Sequence, residues 1–178
     1  AAAGWELPAF GHIPLIHGAD GAKLSKRHGA VGVEEYRDQG YLVEAVFNAL
    51  LRLGWSHGDD EIISRDQAIE WFDLPDVNRG ASRLDMDKML ALNAHYLKEK
   101  GAEELLTLAQ PFIEAEGWKD LSDQEIARLV LGMPAVADRA KTLADIGSMA
   151  KYYLQEPPIE IEEKAQKALG EDGLAVVA

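Results

Sequence analysis

No cysteine occurs among the 178 residues of this chain. That excludes disulfides and thiolate zinc sites, and it fits a reducing, cytoplasmic setting. No apolar run approaches the roughly 18 residues a membrane span needs, so no membrane partner is expected. Positive charge is scarce: 18 Lys and Arg face 31 Asp and Glu, for a net charge of −13. A nonspecific binder of DNA or other nucleic acid is thereby excluded, because such binding rests on a surplus of cations facing phosphates. A nucleic-acid partner could be met only by cations gathered on one face. The five histidines are His12, His17, His28, His57 and His95. No two of them stand four apart on one helix with an acidic partner, so no metal site is expected. The start, Ala1-Ala2-Ala3-Gly4-Trp5, carries neither a methionine nor a basic signal-peptide region. The expectation is a piece cut from a larger protein.

Hydrophobic residues make up 47% of the chain, enough for a packed core. Residues 1–32 are rich in Gly, Pro and His and read as short strand and loop. From Val33 on the chain reads as nearly all helix. A short helix from Glu34 to Gln39 stops at Gly40, and Leu42, Val43, Val46, Phe47, Leu50 and Leu53 recur at helical spacing over 42–53, with Gly54 as the stop. Ser64 with Gln67 makes a capping box for a helix near 65–72. Asp85 caps a helix over 86–98 with Met86, Met89, Leu90, Asn93 and Leu97 on one face. A helix over 102–115 should be kinked or interrupted at Pro111. Capping boxes Ser122/Glu125 and Thr142/Asp145 open helices over 123–132 and 143–154. After Pro157-Pro158 a charged helix is expected near 160–169. Trp5, Trp55, Trp71 and Trp118 are scattered, as core anchors are, rather than arrayed for base stacking.

The densest chemistry lies in the run from His12 to Ala30, around Lys23-Leu24-Ser25-Lys26-Arg27. Two lysines flank a hydroxyl, an arginine and a histidine follow, and Gly18, Gly21 and Gly29 bracket the set. Cations on a short loop suit polyphosphate chemistry, where negative charge develops during phosphoryl or nucleotidyl transfer. On charge alone, a solvated basic turn is the favoured reading of the run. Smaller clusters pair Arg79 with Arg83 and Arg139 with Lys141. The acidic runs Asp59-Asp60-Glu61 and Glu160 to Glu163 read as solvent-facing.

The wording of the run resembles the KMSKS loop of class I aminoacyl-tRNA synthetases, in the form found in bacterial glutamyl-tRNA synthetases. The resemblance continues in family order through Gly40-Tyr41-Leu42, Leu53-Gly54-Trp55-Ser56-His57-Gly58, Phe72-Asp73-Leu74, the block Leu84 to Leu97 and Asp138-Arg139-Ala140-Lys141-Thr142-Leu143. It implies a mainly α fold: a loop- and strand-containing stem-contact element followed by an α-helical bundle of the anticodon-binding type. The implied division is 1–32 as the KMSKS-loop end of the catalytic domain, 33–100 as a stem-contact helical domain, and 101–178 as a first anticodon-binding subdomain that stops short of the full pattern. Glutaminyl-tRNA synthetase is the near rival, disfavoured because its anticodon domain is a β-barrel. The short tRNA-modifying paralogue lacks an anticodon domain, which the helices over 102–169 supply.

The resemblance implies that Lys26 approaches the ATP phosphates and stabilises the transition state of amino-acid adenylate formation, with Lys23, Ser25 and Arg27 completing the nucleotide contacts. ATP and Mg2+ would serve the parent enzyme. The family's His-Ile-Gly-His motif is missing; His12-Ile13-Pro14-Leu15 lacks its glycine and lies in the wrong place. With the nucleotide-binding domain absent as well, this chain should be catalytically silent by itself. Arg139 sits where the family places an anticodon-facing arginine, and its planar fork suits a splayed base edge. The competing reading is an exposed helix-end arginine paired with Asp138 or Asp145. Lys141, Arg83 and Lys88 are weaker candidates for tRNA backbone contacts, and Trp55 and His57 read as packing. The implied function is the tRNA-binding part of a glutamate–tRNA ligase, a monomer partnered by tRNA-Glu, with tRNA-Gln left open. The alternative is a helical adapter on a synthetase-derived scaffold, acting through protein contacts.

Overall fold

A computed structural model describes residues 4–6, 10–18, 20–24 and 32–155. The described residues form a mainly α structure with seven helices and one two-stranded ladder. In chain order these are β1 (Ile16–His17), α1 (Val33–Asp38), α2 (Val43–Gly54), α3 (Arg65–Trp71), a 3-10 turn (Leu74–Asp76), β2 (Ser82–Arg83), α4 (Met86–Glu99), α5 (Ala102–Ala115), α6 (Asp123–Ala137) and α7 (Leu143–Leu154). The mainly α expectation is met.

Helix starts follow side-chain chemistry. The hydroxyls of Ser64, Ser122 and Thr142 accept from the N–H three residues on, and Gln67, Glu125 and Asp145 reach back to complete capping boxes. Asp85 caps α4 by accepting from the Lys88 N–H at 3.0 Å. Helix ends use glycine where the chain must turn. Gly40 has φ +85°; its N–H bonds the Arg37 carbonyl at 2.9 Å, and Tyr41 N–H bonds the Tyr36 carbonyl at 2.9 Å. That is a Schellman closure, which needs a left-handed residue just past the helix.

Three expectations about boundaries change. Gly54 is the last residue of α2 rather than a stop outside it. Pro111 does not interrupt α5, which runs unbroken to Ala115. The helix expected over 123–132 runs on to Ala137, through Pro134. Both prolines are exposed, so the carbonyl each leaves unbonded sits on the water side. Meanwhile the buried faces, Ala109 with Ile113 and Met133 with Val136, continue past them. Burial of those faces outweighs one missing helical bond. The helix expected near 160–169 lies outside the described residues.

The main core joins α5, α6 and α7 to the start of α2 and the end of α4 through Leu42, Leu97, Leu105, Ile113, Met133 and Ile146. A second cluster holds Tyr36, Val46, Leu84 and Met89, with Ile16 and Leu24 packed on it. A third gathers Trp55, Ile63 and Ala68. Trp55 is buried as expected, but Trp5 is 81% exposed and anchors no core among the described residues. Met86, placed on the apolar face of α4 by its spacing, is 40% exposed. It lies in the first turn, ahead of the packed stretch from Met89.

Two glycines admit a neighbour. A Cβ on Gly147 would stand 2.8 Å from the carbonyl carbon of Phe112, so the backbones of α7 and α5 approach closely there. A Cβ on Gly132 would run into the Tyr153 ring, at 2.7 Å from Cδ1. Alanine is excluded at both positions without movement of a helix or a ring.

Two fully buried asparagines cross-link the fold. Asn48 on α2 accepts from Ile63 N–H at 2.6 Å and from the Tyr96 hydroxyl at 3.0 Å, and donates to the Glu61 carbonyl at 2.9 Å. Burial of the Tyr96 hydroxyl pushes its pKa upward. Asn93 on α4 accepts from Leu42 N–H at 2.7 Å and donates to the Lys141 carbonyl at 2.6 Å. It thereby ties the α1–α2 turn to the segment before α7, where Leu143 N–H also bonds the Gly40 carbonyl at 2.9 Å.

Candidate functional site

The cationic loop begins in a tight backbone lattice. Leu24 N–H bonds the Ile16 carbonyl at 2.9 Å, Gly18 N–H bonds the Ala22 carbonyl at 2.9 Å, and His17 bridges Lys23 in antiparallel fashion. β1 also pairs in parallel with β2, in the register Ile16 with Ser82 and His17 with Arg83. A Cβ on Gly21, where φ is +78°, would lie 3.2 Å from Arg83 Nη2. The Arg83 guanidinium therefore rests on the turn that leads to Lys23. On the far side, Gly32 caps α1, whose Tyr36 shares the second core cluster with Leu24. One apolar cluster thus holds both flanks of the loop. Lys23 is exposed and has no ion-pair partner among the described residues. Ser25, Lys26 and Arg27 lie outside the described residues.

A groove of about 520 Å3 lies beside this ladder, lined in part by Arg52, Arg83, Asp85, Asp87 and Lys88. Two of the proposed backbone-contact residues, Arg83 and Lys88, therefore share one surface. Arg52 is drawn toward Glu61 at 3.4 Å. Lys141 is elsewhere: its backbone is held by Asn93 and by Asp145, whose Oδ2 accepts the Lys141 N–H at 2.9 Å.

Arg139 follows the C-cap of α6, Asp138. Its N–H bonds the Val136 carbonyl at 3.0 Å, and Ala140 N–H bonds the same carbonyl at 2.9 Å, closing the last turn. Ala140 is buried while Arg139 is exposed. The guanidinium has no acidic partner among the described residues. Asp138 faces Lys98 at 3.5 Å. Asp145 accepts the N–H groups of Lys141 and Thr142, each at 2.9 Å. The pairing offered as the competing reading of Arg139 is therefore not formed. Arg139 lines a concavity of about 490 Å3 together with Ser148, Lys151, Tyr152 and Tyr153. The reading of the sequence did not single out Lys151 or Tyr152; the available signal was a basic–aromatic pair in the last turn of a helix. Lys23 and Arg139 occupy separate regions, the first at the β1–β2 ladder and the second at the far end of α6.

Trp55 and His57 pack as expected. His57 stacks on Trp71 with centroids 4.1 Å apart and lies 3.1 Å from Asp60. Lys100, at the α4–α5 junction, bonds Glu104 at 2.7 Å and Glu44 at 3.1 Å. The hydrogen bond to Glu104 leads in raising its pKa above the ordinary lysine value.

An all-helical end presents an arginine with no acidic partner among the described residues, and a short ladder holds the start of the cationic run. Residues 1–91 match the family described as tRNA synthetases class I (E and Q), catalytic domain, and residues 104–178 match the family described as anticodon binding domain. The first match covers just over half of the chain, and the chain belongs to the class I tRNA synthetases of the E and Q type. It is 52% identical to glutamate–tRNA ligase 2 of Paramagnetospirillum magneticum over 96% of this chain and 36% of that protein. It is 49% identical to glutamate–tRNA ligase 2 of Rhodospirillum rubrum over 99% of this chain and 38% of that protein. A crystal structure of a glutamate tRNA ligase from Elizabethkingia meningosepticum in complex with its amino acid superposes with a TM-score of 0.77, at 31% identity, over 99% of this chain and 38% of that one. The chain thus spans well under half the length of these relatives.

Proposed function

We infer that this chain is the tRNA-binding part of a glutamate–tRNA ligase, which joins glutamate to tRNA-Glu at the expense of ATP. The observation that carries this reading is Arg139: an exposed guanidinium, unpaired although two acids lie close in sequence, fixed at a helix end inside the stretch that resembles an anticodon-binding domain. In a chain of net charge −13, an arginine left without an acid is a group kept for an outside partner. The three parts are assigned as 1–32, the end of the catalytic domain; 33–100, the stem-contact element; and 101–178, the first anticodon-binding subdomain. Arg83 and Lys88 would meet the tRNA backbone, and the chain would act as a monomer in the cytoplasm.

The loop residues Lys23, Ser25, Lys26 and Arg27 are assigned to the nucleotide. The ammonium of Lys23, exposed and without an ion-pair partner among the described residues, fits a polyphosphate and not a metal cation. Mg2+ would therefore be met through the nucleotide's own oxygens. ATP would supply the adenylyl group, its α-phosphorus bonding to the glutamate carboxylate oxygen as its bond to pyrophosphate breaks, and Lys26 would meet the negative charge that develops on the leaving pyrophosphate.

The test is binding of tRNA-Glu and of anticodon-substituted tRNA-Glu by the wild-type chain and by Arg139→Gln. A base-edge contact costs discrimination at one anticodon position, by roughly 1–3 kcal/mol on the scale of bidentate arginine contacts in DNA. A phosphate contact lowers affinity alike for every anticodon and flattens the salt dependence. Equal losses on all tRNAs would move Arg139 to the backbone, and no loss on any would remove it from the interface.

A further inference from the structure

The concavity between the end of α6 and the outer side of α7 brings together two cations, Arg139 and Lys151, one acid, Asp145, whose Oδ2 is bonded to backbone N–H groups, and an exposed aromatic ring. Arg139 has no acidic partner among the described residues, and neither has Lys151. The Lys151 Nζ instead lies 5.2 Å from the centroid of the Tyr152 ring, within cation–π range. The two adjacent tyrosines have different fates. Tyr153 packs into the space left by Gly132. Tyr152 is 60% exposed, with Lys151 as its one charged or aromatic contact among the described residues. A large ring left in water beside two cations that have no acidic partner among the described residues, in so acidic a chain, is not explained by packing.

We propose that Tyr152 is the stacking platform for one unpaired RNA base whose edge faces Arg139, with Lys151 meeting the phosphate next to that base. The three groups match the three faces of a nucleotide: a π-face for the ring, a donor–acceptor edge for the guanidinium fork, and a negative charge for the ammonium. The volume, about 490 Å3, lies in the range of small-ligand sites. A free phosphate would use the cations and leave the ring idle. An apolar partner would use the ring and strand the cations. The proposal rests on the assignment of Arg139 to an anticodon base, and it adds the surface against which that base is held.

The experiment measures affinity of the 178-residue chain for a labelled anticodon stem-loop of tRNA-Glu at low salt. The same hairpin is also prepared with each loop base in turn replaced by an abasic site. Tyr152→Leu should weaken binding of the intact hairpin by about 5- to 150-fold, the range for loss of one aromatic–base stack. Tyr152→Phe, which keeps the ring, should bind as the wild type does. On one abasic hairpin Tyr152→Leu should cost nothing further, because both changes remove the same stack. Melting curves of the variants should superimpose, since the ring is exposed. Full affinity in Tyr152→Leu, or an equal loss on every abasic hairpin, overturns the proposal. If Arg139→Gln alters base preference while Tyr152→Leu is silent, the platform is wrong and the Arg139 assignment stands. If Tyr152→Leu loses affinity at one position while Arg139→Gln is silent, the stack stands and the Arg139 assignment falls. A wild-type chain that fails to bind the hairpin at all overturns both.

Discussion

Replacing Asn93 with alanine should be among the most damaging single changes in this chain. Its side chain has no exposed surface. One atom accepts from Leu42 N–H at 2.7 Å and another donates to the Lys141 carbonyl at 2.6 Å. Alanine strands both backbone groups. A buried polar group left unpaired costs about 1–3 kcal/mol. Leu42 N–H is enclosed and takes the upper half of that range; Lys141 is exposed as a residue, so its carbonyl can recruit water and takes the lower. With the small cavity added, the loss should be about 3–4 kcal/mol, a large share of the roughly 5–15 kcal/mol that stabilises a typical domain. The assay is equilibrium urea unfolding of wild type and variant, read as a shift of midpoint at unchanged slope. Asn93→Asp separates the donor from the acceptor. A carboxylate still accepts from Leu42 N–H but faces the Lys141 carbonyl with no hydrogen to give. It should be as damaging at neutral pH, and partly relieved in acid, where the protonated form regains a donor. A loss under about 1 kcal/mol for alanine, or pH-independent damage for aspartate, would refute this account of Asn93 as the tie between α4 and the segment carrying Arg139.

Gly147→Ala forces a methyl to within 2.8 Å of the Phe112 carbonyl carbon, so α5 and α7 must part; overpacking of this kind costs about 1–3 kcal/mol and should lower the thermal midpoint by several degrees. Glu125 has its pKa lowered chiefly by the Ser122 hydroxyl and then by the Ser122 N–H. A depressed carboxyl stabilises fully above its unfolded pKa and stops doing so as pH falls through its folded one. The gap in melting temperature between wild type and Glu125→Gln should therefore be present at neutral pH and close below about pH 4. The chain should support no glutamate-dependent ATP–pyrophosphate exchange, with or without tRNA, because it spans only 36% to 38% of the ligases it resembles; turnover above a blank by pure protein would refute that.

What could be read from the sequence divides along a physical line. Helix starts were legible because a capping box is a local contract: Ser64 with Gln67, Ser122 with Glu125 and Thr142 with Asp145 each settle one terminus within four residues. The interruption expected at Pro111 and the end of α6 expected at 132 were misread because the outcome depends on which side of the helix is wet, and only packing decides that. The β1–β2 ladder was invisible for a related reason. Two residues on each side give no alternation to detect, and the pairing joins segments far apart in sequence.

The candidate site shows the same division at the level of single side chains. Arg139 could be nominated from its motif, but its sequence neighbours Asp138 and Asp145 made an ion pair an equally natural reading. The structure removes both acids from contention by giving each another task, Asp138 with Lys98 and Asp145 at the N-terminus of α7. Asp145 lines the same concavity as Arg139, but its Oδ2 is given to the N–H groups of Lys141 and Thr142, and it forms no ion pair with the guanidinium. Asn93 then fixes the Lys141 carbonyl two residues on, so the segment bearing the free guanidinium is held rigid against α4. The main chain beneath the guanidinium is therefore ordered before any partner arrives, which removes the backbone share of the ordering cost, while the exposed side chain still gives up its own rotamer freedom on binding.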